Sequence, residues 1–180
     1  MRTCLVLGGA ACLWDDVDAY AGPVGAVVAC NDAGYAWPGA LAAWVSLHPL
    51  NWTRPKDAWL AKRDAKGYPP APLYTHDANK APDGAVLTPH QFPGCEHSGS
   101  SGMFAAKVAL IDLCFDQVVL CGIPMAPMKH FTGLDHWQTA HNRVSPLPNR
   151  YLKRWRDVPA EFTGRIRSMS GATRDLFGAP

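Results

Sequence analysis

The stretch from His97 to Met125, HSGSSGMFAAKVALIDLCFDQVVLCGIPM, decides how this chain is read. It opens with Ser98-Gly99-Ser100-Ser101-Gly102, residues that suit a tight turn and leave several backbone N–H groups open at a helix start. From Met103 to Leu113 the apolar residues Phe104, Val108, Ile111 and Leu113 fall among alanines and Lys107, which predicts a largely buried helix with one long basic side chain. Gln117 to Cys121 follows as a short apolar run between Asp116 and Gly122, β-branched at Val118 and Val119, the length expected of a strand buried on both faces. A Ser/Gly turn that feeds a helix and then a buried strand is how open α/β sheets offer a helix N-terminus to a phosphate, because aligned peptide dipoles and unpaired N–H groups both favour an anion. A loop that merely caps a structural helix would use the same residues.

The same pattern recurs upstream. Thr3 to Leu7 is an apolar run ended by Gly8-Gly9-Ala10-Ala11, after which Leu13, Trp14, Val17 and Tyr20 return at helical spacing among Asp15, Asp16 and Asp18. This glycine turn has neither the G-x-G-x-x-G spacing of a dinucleotide site nor the lysine of a phosphate loop, so NAD and ATP in their familiar sites are not indicated. Gly25 to Cys30 is a second buried strand and ends in Asn31-Asp32, polar groups placed where open α/β sheets bind ligands, although a helix cap or an Asx turn would also use them. Trp44 to Leu47 is a third, ending in His48-Pro49-Leu50-Asn51.

Thr53 and Pro55 predict the start of a charged, solvated helix over Lys56 to Lys66. Residues 67–96 are rich in Pro, Gly, Asp and His and read as an irregular insertion, with Leu73-Tyr74-Thr75 and Val86-Leu87-Thr88 as brief strand candidates. His76, His90, Cys95 and His97 match no common zinc spacing, and no metal site is expected. Farther on, Ile123 to Gly133 is a loop carrying Lys129 and His130, and Asp135 suits the cap of a helix that includes His136, Trp137, Ala140 and Val144. A helix over Asn149 to Asp157 should turn Tyr151, Leu152 and Trp155 inward, with Lys153, Arg154 and Arg156 outward. Arg165 to Met169 reads as a last short strand before the Ser170-Gly171 turn and a short helix.

With 180 residues, 48% hydrophobic and a formal net charge of +2, the chain is long enough for one domain with a sizeable core, and residues 1–180 read as a single nucleotide-binding α/β domain. Basic residues gather between Lys153 and Arg174, which favours local contact with phosphates without indicating nucleic acid as a partner. The six cysteines form no C-x-x-C pair, and Cys4, Cys30 and Cys121 lie in strand-like runs, the usage of reduced core thiols in a cytoplasmic protein. No apolar run reaches the length of a membrane span, and the N-terminus lacks the order of a signal peptide. The fold class expected is α/β, a single Rossmann-like three-layer domain with a mostly parallel sheet.

The order Leu5-Val6-Leu7-Gly8-Gly9-Ala10-Ala11-Cys12-Leu13, then Val28-Ala29-Cys30-Asn31, then Ser100-Ser101-Gly102-Met103 through Val118-Val119-Leu120-Cys121-Gly122-Ile123 resembles the bacterial sialyltransferases with a single Rossmann-like nucleotide domain. It is also similar to hydroxymethylpterin diphosphokinase-like proteins. The first resemblance implies a glycosyltransferase that takes a sugar from a cytidine monophosphate (CMP) donor, with Gly8, Gly9, Asn31, Ser100, Ser101 and Gly102 around the nucleotide, to which the place of Asp32 after the second strand adds that residue. His136 is the nearest match to the family's general base, and Lys129 or His130 are the donors available to the leaving phosphate, since no tyrosine lies between Met125 and Trp137. The second implies a pyrophosphokinase needing Mg²⁺ at carboxylates, for which Asp32 and Asp135 are the acids in place. A nucleotide-binding module without catalysis is the third reading. In this chain Ala11-Cys12 stands where the resembled turn has Pro-Ser, and Pro124 where it has Asp. The acceptor is not specified.

Overall fold

A computed structural model describes residues 1–96, 99–133 and 147–180. The strands are β1 (Thr3–Leu7), β2 (Ala26–Cys30), β3 (Ala43–Val45), β4 (Leu73–Thr75), β5 (Val86–Leu87), β6 (Gln117–Cys121) and β7 (Ile166–Ser168). They form one seven-stranded sheet in the order β5-β4-β3-β2-β1-β6-β7. Every neighbouring pair is parallel. The helices are α1 (Leu13–Ala19), α2 (Ala33–Ala36), α3 (Leu50–Thr53), α4 (Trp59–Asp64), α5 (Ser101–Lys107), α6 (Leu147–Arg156), α7 (Ala160–Thr163) and α8 (Gly171–Phe177). The α/β architecture expected from the alternation of apolar runs and helical patterns is the one observed.

Two apolar layers flank the sheet because successive strand side chains point to opposite faces. Cys4, Val6, Val28, Cys30, Val118 and Leu120 pack with Phe104 and Val108 of the α5 segment and with Trp155 and Phe177. Leu5, Leu7, Val27, Ala29, Val119 and Cys121 pack on the other side with Leu13, Trp44, Trp52 and Trp59. Each such fully buried Val or Leu side chain contributes about 1.5–3 kcal/mol. The six thiols are unbonded, and Cys4, Cys30 and Cys121 are core residues.

Helix α5 runs on through a π-helical turn, Val108–Asp112. The wider turn brings Asp112 back to the Lys107 ammonium, which lies 2.9 Å from Asp112 Oδ2 and donates to Thr88 Oγ1 at 2.6 Å. That contact ties α5 to the end of β5.

Some local expectations are corrected. The third strand ends at Val45 rather than Leu47, because Ser46 Oγ accepts from the His48 N–H at 2.9 Å and donates to Asn31 Oδ1 at 3.0 Å, turning the chain off the sheet. The helix expected from Lys56 begins at Trp59, since Leu50–Thr53 closes its own turn and Ala58 adopts a left-handed φ of 43°. Nor is that helix wholly solvated. Arg63 is only 2% exposed and donates to the carbonyls of Gly34, Trp37, Gly39 and Pro69 at 2.6–2.8 Å, fastening α4 to the segment after β2. Within residues 67–96 both strand candidates join the sheet as β4 and β5.

Gly122, the residue after β6, sits at a φ of +67°, where a Cβ would lie 2.9 Å from Leu13 Cβ, so only glycine suits this close approach to α1. Its N–H donates to Asp16 Oδ2 at 2.8 Å, and the same oxygen accepts from Ser170 Oγ at 2.8 Å. One carboxylate thereby joins α1, the end of β6 and the start of α8.

Candidate functional site

In a parallel sheet the chain leaves successive strands at one edge, and a crevice opens where the strand order reverses. Here β2 lies on one side of β1 and β6 on the other, with Leu7 in register with both Ala29 and Cys121. A cavity occupies that point. Gly8, Gly9, Asn31, Asp32, Ser100, Ser101, Gly102, Lys129 and His130 all line it, so the structure brings those nine sequence-chosen residues together. His136, chosen as base, lies outside the described residues, as does Asp135.

The first wall is the glycine turn. The loop after β6 folds back across it: Ala11 N donates to Lys129 O at 2.8 Å, Phe131 N to Gly9 O at 3.0 Å, and Ala10 pairs with His130 as an antiparallel bridge. This strap holds the His130 ring directly over Gly9, whose Cβ, were there one, would lie 2.8 Å from His130 Nε2. Lys129 is exposed at the rim.

The second wall follows β2. Asn31 has a left-handed φ of 49°, and its carbonyl accepts from Trp44 Nε1 at 2.7 Å. Its Oδ1 is taken by the Ser46 hydroxyl, which leaves the Asn31 Nδ2 amide as a donor at the cavity wall. Asp32 stands at the N-cap of α2 but makes no side-chain cap bond. Burial first and the Asp32 carboxylate second push the nearby Tyr35 hydroxyl well above the ordinary phenol range. Asp32 Oδ2 also lies 3.6 Å from His130 Nε2.

The third wall is the start of α5. Ser100 is its N-cap and accepts from Met103 N at 3.4 Å, while Ser101 in the first turn is 8% exposed. This turn faces the same cavity as the glycine turn, and because the N–H groups of Gly8, Ala10 and Ala11 are bonded to the carbonyls of Cys121, Gly122 and Lys129, the hydroxyl groups on offer come from Ser100 and Ser101.

His130 is 8% exposed, and its Nδ1 is 2.8 Å from Thr132 Oγ1. Burial pushes its imidazole below the usual value and Asp32 partly offsets that push, so the resting ring is neutral near pH 7 with a carboxylate placed to stabilise the protonated form. At the floor, burial raises the Cys30 thiol to about 12, which keeps it protonated. Chemically, the site can bind an anion through neutral and cationic donors and can accept one proton at a histidine. Asp32 is the one acid among the described lining residues, and no group of three or more His, Cys, Asp or Glu among the described residues is arranged to hold a metal.

Residues that sequence reasoning did not assign to the site also line it. Tyr151 of α6, read as an inward-packing residue, reaches the cavity half-buried, and His48 joins it from the turn after β3. A hydroxyl at the apolar edge of a basic helix was the available signal for Tyr151.

An open parallel α/β domain with its cavity at the sheet's reversal point is the class that fold and site define. Comparison with solved structures narrows the fold further. The sialyltransferase CstII from Campylobacter jejuni, in complex with the substrate analogue CMP-3FNeuAc, superposes with a TM-score of 0.63 at 13% identity, over 99% of this chain and 86% of that one. The monofunctional α-2,3-sialyltransferase Cst-I from the same organism gives a TM-score of 0.68 at 11% identity, over 99% of this chain and 80% of that one. CstII in complex with a trisaccharide acceptor and CMP gives 0.64 at 12%, over 99% and 86%. No protein-family model matches the chain, and no curated protein matches it. The chain therefore has a sialyltransferase-like fold. None of these three is a pyrophosphokinase.

Proposed function

We propose that this protein is a glycosyltransferase-like enzyme that takes a sugar from a CMP-type donor, with His130 as general base. The observation that carries the reading is the single cavity in which Gly8, Gly9, Asn31, Ser100, Ser101 and Gly102 surround the space beside a neutral, carboxylate-backed histidine. The same fold in solved structures holds CMP or a CMP-sugar analogue, which supports the choice of donor. The first turn of α5 and the Ser101 hydroxyl would receive the phosphate, and Asn31 Nδ2 would donate to the nucleoside.

In the transfer, the bond from the anomeric carbon to the phosphate oxygen breaks while a bond from the acceptor oxygen to that carbon forms. The acceptor proton passes to the His130 imidazole, whose protonated form Asp32 stabilises, and CMP departs with the electron pair of the broken bond. Lys129 at the rim and Tyr151 on α6, both lining the cavity, would stabilise the charge that develops on the phosphate. Mg²⁺ has no role in this reading.

CMP release from CMP-N-acetylneuraminate tests it. Ser101→Ala should weaken nucleotide binding by about 1 kcal/mol, a typical net hydrogen bond. His130→Ala should leave binding intact and lower turnover about a hundredfold. If turnover instead collapses only in His136→Ala, His136 is the base. Nucleotide binding without turnover of any donor would replace the enzyme with a binding module.

A further inference from the structure

Three histidines follow the carboxyl ends of three adjacent strands: His48 after β3, His76 after β4 and His90 after β5. His48 lines the donor cavity. The rings of His76 and His90 lie with centroids 4.2 Å apart, and both meet the edge of Phe104, on the helix whose first turn forms the cavity's third wall. The run therefore leads from the donor cavity along the edge of the sheet, past β3 and on over β4 and β5, the two strand candidates within residues 67–96. Among the described residues none of the three rings makes a hydrogen bond, and His48 and His76 are exposed.

The cations around the run each have a carboxylate partner. Arg54 is held by Asp57 and Asn51, and Lys80 by Asp77 at 2.8 Å. Lys107, one turn beyond Phe104 on α5, is held by Asp112 at 2.9 Å. What is left uncompensated is the positive charge the imidazoles acquire when protonated. Desolvation holds His48 below its ordinary value, and His76, Arg54 and Lys80 add to the effect. Burial and then His76 hold His90 down in the same way.

Resting on the transferase reading above, we propose that His48, His76 and His90 form the acceptor subsite and select an acceptor that carries an anionic group, a carboxylate or a phosphate ester. An anion lying across the three rings relieves their mutual repulsion and satisfies N–H donors that otherwise lack a partner among the described residues. Acceptor binding then takes up protons and strengthens as pH falls, whereas donor binding at the glycine and serine turns does not depend on His76 and His90.

The test follows the histidine ring signals by NMR through a pH titration, with and without CMP, adding glucuronate, glucose or inorganic phosphate. With CMP bound, glucuronate should raise the titration midpoints of His48 and His90 by roughly one unit and bind about tenfold more tightly at about pH 6 than at about pH 8. Glucose should do neither. A response to phosphate in place of glucuronate keeps the anionic class and assigns the phosphate ester. His76→Gln combined with His90→Gln should abolish the response, and the CMP affinity of that variant reports whether it is folded. If CMP binds and neither anion moves any of the three rings, the subsite is wrong and the donor reading stands. If the anions act while CMP does not bind at all, the donor reading fails and the run is no acceptor subsite.

Discussion

Replacing Asp16 by alanine tests how the floor of the cavity is held. Asp16 is 6% exposed in the first turn of α1, and its Oδ2 accepts two hydrogen bonds, from Gly122 N and from Ser170 Oγ, each at 2.8 Å. Ser170 has a second contact, Cys12 Sγ at 3.3 Å, and so keeps a weak partner when the carboxylate is removed. Gly122 is buried, and its N–H would be left without the acceptor it uses. An orphaned buried donor costs about 1–3 kcal/mol and a hydrogen bond to a charged group contributes about 1.5–3 kcal/mol, so Asp16→Ala should lose about 2–4 kcal/mol overall. For a domain of this length that is a fall in Tm of roughly 5–15 °C. Asp16→Asn keeps an oxygen that can accept from both Gly122 and Ser170 and loses only the charge, so it should lose about half as much or less. Urea denaturation with unchanged m-values is the assay. A loss below about 0.5 kcal/mol for Asp16→Ala, the range of ordinary surface substitutions, would refute the claim that this carboxylate joins α1, β6 and α8.

Other outcomes follow from the same geometry. Gly122→Ala forces a Cβ into the left-handed region at 2.9 Å from Leu13 and should destabilise by about 1–2 kcal/mol or more in thermal unfolding, and no loss would contradict the close approach. Because burial holds His130 below its unfolded value of 6.5, the unfolded chain takes up the proton first as pH falls. The contribution of His130 is thus intact above that value and is lost as pH falls through the folded one. Unfolding free energy should decline from about pH 7 to about pH 5, and less so in His130→Gln. His48 and His90 act in the same direction, so the difference between parent and variant isolates His130. Native protein should react quickly with a thiol reagent at the exposed Cys114 and slowly at the half-buried Cys12 and Cys95. Cys4, Cys30 and Cys121, raised by burial to about 12, should react only after unfolding, and fast labelling of any of these three would contradict the core.

The strands were legible where an apolar, β-branched run is buried on both faces, as in Thr3–Leu7, Ala26–Cys30 and Gln117–Cys121, because no other element of that length needs such a composition. The Ser/Gly and glycine turns were legible for the same local reason: little besides glycine and serine fits where a chain leaves a strand and opens a helix. What escaped depends on pairs far apart in sequence. The strap over Gly9 consists of backbone bonds from Ala11 to Lys129 and from Phe131 to Gly9, which no side-chain pattern announces. Asp16 and Arg63 look like solvated members of charged helices until their partners, Gly122 and the carbonyls after β2, are placed beside them. Tyr151 reads as packing because a tyrosine buries its ring as readily as it offers its hydroxyl.

Isothermal calorimetry with CMP, NAD and ATP tests the central claim, that the crevice at the ends of β1, β2 and β6 takes a cytidine monophosphate. One CMP site per chain is expected, weakened in Ser101→Ala, with CMP at a hundred times its Kd stabilising the fold by about 2.7 kcal/mol. Tight binding of NAD or ATP with no heat from CMP would contradict it.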